Sequence, residues 1–262
     1  MKKLAKIISL LMFAGVLALP AMARSSIQER IEKQLNATQE AFFDAVARGD
    51  EATVAQMMNR DSKLLHAQDE NGWTPLMVAV SYAADPEYTG KMPDDRYLGI
   101  VQRMLILNGG REANVNAKKK DGMTALMLAV RSNDVEIVSQ LLRTEGIDTQ
   151  IRDENGRTAL FYAVNFRNSY HDKSRQAQER LVEDQYQIVA MLLRKGAKVN
   201  LKDKDGVTPL MIAVDYLNYD ASQGSHIVAG KRDNLKAMEK RLEIVRLLSA
   251  RQRDDVRVSM GL

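Results

Sequence analysis

A ten-residue motif that occurs four times constrains the fold of this chain more than any other feature of its sequence. Each copy starts with Asn-Gly or Asp-Gly, continues through one variable residue to threonine, and then enters a short apolar segment. The copies occupy residues 71–80, 121–130, 155–164 and 205–214. Because one such unit is too small to bury its own apolar face, the pattern predicts modules stacked around a continuous core.

Each unit is predicted to consist of two short helices joined by a tight turn. In the third unit, residues 124–131 form the first helix and residues 135–143 form the second. The second helix has apolar residues at helical spacing, namely Val135, Val138, Leu141 and Leu142. An extended stretch over residues 147–152 then leads into the next Asn-Gly turn, so the order is helix, turn, helix, loop and β-turn.

The units resemble ankyrin repeats, which carry the pattern Thr-Pro-Leu-His-x-Ala and recur about every 33 residues. The later part of the family pattern is present at residues 196–206 and 113–117. The resemblance covers residues 38–250, although a large apolar residue replaces the family's histidine in every copy: Met77, Met127, Phe161 and Met211. It implies an all-α ankyrin-repeat solenoid of about five helix-turn-helix units with β-turn fingers.

The predicted domain organisation has a signal peptide over residues 1–23 and an ankyrin-repeat domain over residues 24–262. The repeat units span about 38–70, 71–120, 121–154, 155–204 and 205–250, followed by a polar tail at 251–262. The first unit lacks the turn and the Thr-Pro pair, as expected of a terminal capping repeat. Ser26 and Glu29 have the spacing of a helix capping box, which predicts a longer helix over residues 26–47.

The first residues have the pattern of a secretory signal peptide. Three lysines precede an apolar run from Ile7 to Leu19, and residues 21–23 have the small-x-small form of a cleavage site. The run of about 13 residues is short for a membrane span, and a retained anchor is the alternative interpretation. We expect cleavage between Ala23 and Arg24, which leaves a mature protein in the periplasm without a membrane anchor.

Composition and charge argue against several classes of function. Cleavage removes three lysines and no acidic residue, which lowers the formal net charge from +4 to +1 and argues against a phosphate-binding surface. The chain has no cysteine and its three histidines lack metal-ligand spacing, so neither a metal site nor a cofactor is expected. The glycines lie in repeat turns and the acid pairs in exposed segments, so no enzymatic activity is predicted.

Three units are longer than the others because residues are inserted between their paired helices. The spacings between the turn glycines are 50, 34 and 50 residues, which places long insertions in units two and four. In unit five, 32 residues separate Ala213 of the first helix from Val245 of the second, against 9 between the equivalent residues of units one and three, so unit five has a long insertion too. Turn-rich loops are predicted over residues 84–93, 168–173 and 221–231, and the second helix of unit four is predicted to begin near Ser174.

Seven of the eight tyrosines lie in or beside these insertions: Tyr82, Tyr88, Tyr97, Tyr170, Tyr186, Tyr216 and Tyr219. Tyrosine is enriched in binding surfaces because its ring covers a large area with little conformational entropy to lose. The alternative is that these rings anchor the long loops to the stack. The sequence leaves both interpretations open.

The resemblance also implies which surface would hold a partner, namely the fingers and the exposed inner side of each first helix. The residues at those positions are Trp73, Tyr82, Lys120, Met123, Arg131, Arg157, Asn165, Phe166, Asp215 and Tyr216. Tyr82, Phe166 and Tyr216 occupy equivalent positions, so stacking would align them in one row. Trp73, the single tryptophan, lies beside that row, as in an interface hot spot.

Two further features have competing interpretations. The run from Lys118 to Lys120 is either a solvated finger or a contact for an acidic partner. His66 takes the position that other units fill with Asn116, Gln150 and Asn200. That equivalence favours a structural polar contact over a ligand or catalytic role.

The function expected is a periplasmic protein-binding module that caps, inhibits or escorts one specific envelope or secreted protein. One version, by analogy with exported bacterial ankyrin proteins, is an immunity protein against a secreted effector such as a phospholipase. The alternative is a structural or accessory envelope protein that supports oxidative-stress defence or complex assembly. The long insertions favour a dedicated partner. The free protein is expected to be a monomer that binds no nucleic acid.

Overall fold

The computed structural model describes residues 21–84, 95–106, 114–165, 175–224 and 235–260. Those residues form ten α-helices and one 3-10 helix, and they contain no β-strand. Within the same ranges, no helix is both long and apolar enough to cross a bilayer. The chain divides into two compact units, Met1–Asp44 and Ala45–Leu262.

Helix α1 (Ala21–Ala47) supplies the described part of the smaller unit. The helix predicted over residues 26–47 is therefore confirmed as helix, but it begins earlier, at Ala21. Ser26 lies inside the helix, so its prediction as the residue of a capping box is wrong. The final residues of α1 belong to the larger unit, where Ala45 and Val46 are fully buried.

The larger unit contains all the other described helices. In chain order they are α2 (Glu51–Arg60), a 3-10 helix (Ser62–His66), α3 (Pro75–Ala84), α4 (Asp95–Ile106), α5 (Ala125–Arg131), α6 (Val135–Arg143), α7 (Ala159–Ala163), α8 (Arg175–Arg194), α9 (Pro209–Gly224) and α10 (Leu235–Met260). The inner helices α3, α5, α7 and α9 each pack on the next, and so do the outer helices α2, α4, α6, α8 and α10. Each inner helix also packs on the outer helix that follows it, which is the predicted layer-by-layer stack.

Local sequence accounts for where the short helices begin. Thr124 precedes α5, and its Oγ1 accepts a hydrogen bond from the Met127 N–H at 3.3 Å. Asp134 precedes α6 and accepts in the same way from the Ile137 N–H at 2.9 Å. These side chains satisfy N–H groups that have no partner within the first turn of a helix. The bounds predicted for the two helices of the third unit agree with α5 and α6.

Apolar side chains at helical spacing hold the layers together. On α6 the buried residues are Ile137, Val138, Leu141 and Leu142, as the sequence pattern predicted. The large residues that replace the family's histidine are core residues in three layers, where Met77, Met127 and Phe161 are each 1% exposed. Burial of one such side chain contributes roughly 1.5–3 kcal/mol.

Two helices extend further than the sequence indicated. Helix α10 continues to Met260, so the polar tail predicted from residue 251 is helix for most of its length. The segment has no proline or glycine before Gly261, and the ion pair between Arg251 and Asp255 at 3.5 Å joins successive turns. Helix α9 likewise includes residues up to Gly224, where a loop was predicted from residue 221.

Helix α8 begins at Arg175, which confirms the start predicted near Ser174. The loop predicted at 168–173 lies outside the described residues, as do most of the loops predicted at 84–93 and 221–231. Tyr88 and Tyr170 lie outside the described residues as well.

Candidate protein-binding face

Four turns, which we call the fingers, project between successive layers at residues 69–73, 119–123, 153–157 and 203–207. In the third finger the Asp153 N–H donates to the Arg157 carbonyl oxygen at 3.0 Å, and the Gly156 N–H donates back to the Asp153 carbonyl oxygen at 3.0 Å. The same pair of backbone bonds recurs at the equivalent residues of the other three fingers. Each copy of the repeated sequence motif therefore forms the same closed turn.

In three of the four fingers, the side chain of an aspartate at the first position closes the turn. Asp69 Oδ1 accepts from the N–H groups of Asn71 and Trp73, both at 2.8 Å. Asp153 and Asp203 each accept two equivalent N–H groups at 2.8–3.0 Å. A charged acceptor strengthens such bonds, so each aspartate fixes the conformation of its own finger.

Backbone hydrogen bonds also join each finger to the next. The Lys120 N–H donates to the Asn71 carbonyl oxygen at 2.8 Å, and the Glu154 N–H donates to the Asp121 carbonyl oxygen at 2.8 Å. The third link runs from the Lys204 N–H to Asn155 at 2.9 Å. Because backbone atoms set these distances, the four fingers form one row in fixed register.

The turn glycines are required for this close approach. Gly122 has φ +83°, a conformation that costs any residue with a Cβ roughly 1–2 kcal/mol. A Cβ at Gly122 would also lie 2.7 Å from the Cα of Asp153, closer than carbon atoms can pack. Gly206 has φ +79° but no atom within 4 Å of its Cβ position, since it belongs to the last finger of the described ranges.

Long side chains reinforce the row. Gln68 donates to the Lys118 carbonyl oxygen at 3.3 Å, Lys118 donates to the Arg152 carbonyl oxygen at 2.7 Å, and Arg152 donates to that of Lys202. Each donor stands at the same position of its unit and reaches the next unit. Lys118 is therefore part of the scaffold.

The other two lysines of the run differ from Lys118. The Lys119 ammonium forms an ion pair with Asp121 and lies 5.3 Å from the centre of the Trp73 ring. Lys120 is exposed and has no ion pair within the described part of the chain. Of the three lysines, Lys120 is the one that remains available to a partner.

The polar position that includes His66 is structural in two other units. Asn116 donates to the Gly146 carbonyl oxygen at 2.7 Å and accepts from the Asp148 N–H at 2.9 Å. Gln150 donates to the Gly196 carbonyl oxygen at 2.9 Å. Both side chains bridge successive layers, which agrees with the structural interpretation of this position.

The structure gives the predicted partner-binding residues different degrees of exposure. Those with exposed side chains are Lys120, Arg131 and Asp215. Those that are half-buried are Trp73, Tyr82, Arg157, Asn165 and Tyr216. Phe166 lies outside the described residues, so the predicted row of three rings stays a prediction.

Met123 is buried, and its prediction as a partner contact is wrong. The residue is only 4% exposed, and its sulfur lies 3.9 Å from a guanidinium nitrogen of Arg131. At the equivalent position of the other fingers the residue is half-buried. A flexible thioether fills the core at this point.

Several of the tyrosines are bound to the scaffold. The Tyr82 ring stacks on the Tyr97 ring with a centroid distance of 5.7 Å, and the Tyr97 hydroxyl donates to the Ala47 carbonyl oxygen at 2.7 Å. The Tyr216 hydroxyl donates to Asn165 Oδ1 at 2.9 Å. These contacts favour the anchoring interpretation for these three rings.

Two polar contacts at the base of the fingers were not anticipated from the sequence. The Tyr162 hydroxyl donates to Asp153 Oδ2 at 2.5 Å, and burial together with this bond raises the pKa of Tyr162 above its usual value. The Arg157 guanidinium lies 3.3 Å from Asp203 Oδ2, a carboxylate whose side chain is 2% exposed. Both carboxylates thus have partners for the oxygen that does not close the finger.

Two family models match the chain: ankyrin repeats (three copies) over residues 95–172, and ankyrin repeat over residues 155–204. The described helices form an all-α repeat solenoid, and the second and third fingers lie within the residues that the models match. The chain contains ankyrin repeats. Proteins of this class generally act through protein–protein interaction.

Three relatives have comparable similarity. The chain is 28% identical over 171 residues to the human transient receptor potential cation channel subfamily A member 1, covering 64% of the chain and 12% of the channel. It is 32% identical over 111 residues to a probable serine/threonine-protein kinase of Dictyostelium discoideum, covering 42% and 12%. It is 35% identical over 176 residues to a putative ankyrin repeat protein of fowlpox virus (strain NVSL), covering 62% and 46%. The chain spans less than half the length of each relative.

Proposed function

We propose that this chain is a periplasmic protein-binding protein that caps, inhibits or escorts one specific envelope or secreted protein. The observation that carries the proposal is the row of four fingers held in register by backbone hydrogen bonds. Such a row is ordered before a partner arrives, so binding costs little conformational entropy. The proposed function does not include an enzymatic activity of this chain.

The side chains on this row suit a protein partner. Trp73 is half-buried with the Lys119 ammonium near its ring. Lys120 on the next finger and Arg131 on the next inner helix, α5, are exposed. Tryptophan and arginine are the residues that most often dominate binding energy at interfaces. We place the centre of the contact at these residues.

Two versions of the function differ in the footprint they need. An immunity protein against a secreted effector, such as a phospholipase, would cover the effector through one tight surface. An accessory protein for oxidative-stress defence or complex assembly would make several weaker contacts. The single fixed row supports the first version, and the second remains the alternative.

Affinity capture from a periplasmic extract with matched variants tests the binding surface. Arg131→Glu reverses a charge on the inner helix α5, and Arg143→Glu makes the same change at an exposed position on the outer helix α6. The proposal expects one protein to be captured by the wild type and by Arg143→Glu, and to be lost with Arg131→Glu. Equal capture by all three forms would contradict it.

The captured protein then separates the two versions. If it is an enzyme, one molar equivalent of this chain is expected to abolish its activity, and the Arg131→Glu variant is expected to leave the activity intact. Full enzyme activity in the saturated complex would exclude the inhibitor version. N-terminal sequencing of the periplasmic protein checks the export prediction, with Arg24 as the expected first residue.

A further inference from the structure

The last layer among the described residues exposes the positions that are buried in the earlier layers. Met211 on α9 is 56% exposed, whereas Met77, Met127 and Phe161 at the equivalent position are each 1% exposed. Val214 is 38% exposed, and its equivalents Val80, Val130 and Val164 are at most 3% exposed. Helix α9 therefore keeps the residue types of an internal layer, but no further layer covers them within the described residues.

The side of α8 that packs on α10 shows which positions of an outer helix contact the next layer. On α8, Glu183 and Tyr186 face α10, since the Lys240 ammonium lies 3.2 Å from the Glu183 carboxylate and 4.3 Å from the centre of the Tyr186 ring. Ala190 faces α10 too, because it lines a shallow cavity between the two helices.

Alignment of the two helices through Val189 and Val245 identifies the corresponding residues of α10. They are Glu239, Leu242 and Arg246, and all three are exposed. These residues therefore point to where a further outer helix would pack. Together with Met211 and Val214 they form what we call the end face.

The end face has the composition of an interface and lacks that of a cap. Repeat proteins usually need a terminal unit with a polar outer surface to stay soluble as monomers. Here three large apolar residues are exposed, with Glu239 and Arg246 on either side of Leu242. An apolar centre flanked by charges is the usual arrangement of a protein–protein contact.

We propose that the end face binds the end face of a second copy of this chain, giving a two-fold symmetric dimer. In a two-fold contact each surface must complement itself. Suppose that the α10 helices of two copies cross antiparallel and that the two-fold symmetry axis passes beside Leu242. Residue 239 of one copy then lies opposite residue 246 of the other. Glu239 and Arg246 have opposite charges, so the symmetric contact forms two Glu–Arg pairs. This dimer replaces the monomer expected from the sequence.

Sedimentation and light scattering over a range of about 1 to 200 μM test the dimer. The wild type is expected to shift from monomer to dimer with rising concentration, and Leu242→Glu is expected to remain a monomer. Glu239→Arg or Arg246→Glu alone places like charges opposite each other and is expected to raise the dissociation constant about tenfold. The double reversal Glu239→Arg with Arg246→Glu is expected to restore the wild-type constant.

A mixture of the two single variants gives a second, more specific readout. Each variant self-associates poorly, but Glu239→Arg paired with Arg246→Glu forms two opposite-charge pairs, so the mixture is expected to dimerise. The control is Ile106→Glu, which changes a residue 76% exposed on α4 and is expected to leave the constant unchanged. Unchanged circular dichroism shows that each variant is folded. A wild type that stays monomeric throughout, or variants whose mixture does not dimerise, would overturn the proposal.

Discussion

The Lys119 ammonium forms an ion pair with the Asp121 carboxylate inside the second finger. The other three fingers carry aspartate at the position of Lys119. In the second finger the aspartate that closes the turn lies two residues later, at Asp121. Asp121 Oδ1 accepts the Met123 N–H at 3.0 Å, which closes the turn. Burial acts to raise the pKa of Asp121, but the hydrogen bonds from Lys119 and Met123 outweigh it, and the pKa is lowered. Two different charge arrangements thus make the same turn.

Loss of the Asp121 charge is predicted to be tolerated only when Lys119 is exchanged as well. Asp121→Asn alone removes the negative charge that pairs with the Lys119 ammonium and is expected to lower the free energy of unfolding by about 1 kcal/mol. Lys119→Asp with Asp121→Asn restores the Asp-x-Asn-Gly sequence of the first and third fingers, and its stability is expected within about 0.5 kcal/mol of the wild type. Urea unfolding at neutral pH measures both. Equal losses in the single and double variants would contradict the account.

The turn glycines are predicted to differ in cost according to what lies beside them. Gly206→Ala imposes a strained φ in open space and is expected to cost about 1–2 kcal/mol. Gly122→Ala has the same backbone cost and also forces its Cβ against Asp153, so its loss is expected to exceed about 3 kcal/mol. Chemical denaturation of the two variants provides the comparison. If both lose the same stability, the fingers are not packed as closely as described.

The Tyr162 hydroxyl is predicted to make stability fall at alkaline pH. Its pKa is raised in the folded chain from the ordinary 10.0, so below that pH both states hold the proton and the full contribution is present. Above it, the unfolded chain loses the proton first, and stability falls as pH rises. The wild type is therefore expected to lose more stability than Tyr162→Phe between about pH 9 and pH 11. Parallel urea midpoints for the two proteins across that range would contradict this.

The stacked pair of tyrosines is predicted to contribute to stability more than to partner binding. Tyr82→Ala removes a ring that stacks on Tyr97 and is expected to lower the free energy of unfolding by about 1 kcal/mol or more. Tyr97→Phe leaves the Ala47 carbonyl oxygen without its hydroxyl donor and is expected to cost about 1 kcal/mol. Thermal unfolding measures both effects. A Tyr82→Ala protein with wild-type stability and weakened partner capture would instead support the binding interpretation.

The repeated motif made the stack predictable because the interactions that form each helix are local. Thr124 and Asp134 cap their helices with atoms three residues away, and the apolar residues of α6 recur at the spacing of a single helix. Four copies of such signals, read together, fix the order of the layers. These local signals do not show which side chains a neighbouring layer covers.

Contacts between distant residues account for most of what sequence reasoning missed. Met123 is buried in the stack, which its place in a turn does not reveal. Tyr97 binds the carbonyl oxygen of a residue 50 positions earlier. The exposure of Met211 follows from the absence of a further repeat among the described layers, although its sequence matches the buried copies.

Amide hydrogen exchange tests most directly whether the fingers form one fixed row. The amides of Lys120, Glu154 and Lys204 each donate to the preceding finger, whereas the Glu70 amide, in the first finger, donates to no residue of the described chain. The account predicts slow exchange at the first three and fast exchange at Glu70. Equally fast exchange at all four would mean that the fingers move independently, and the proposed binding row would not exist.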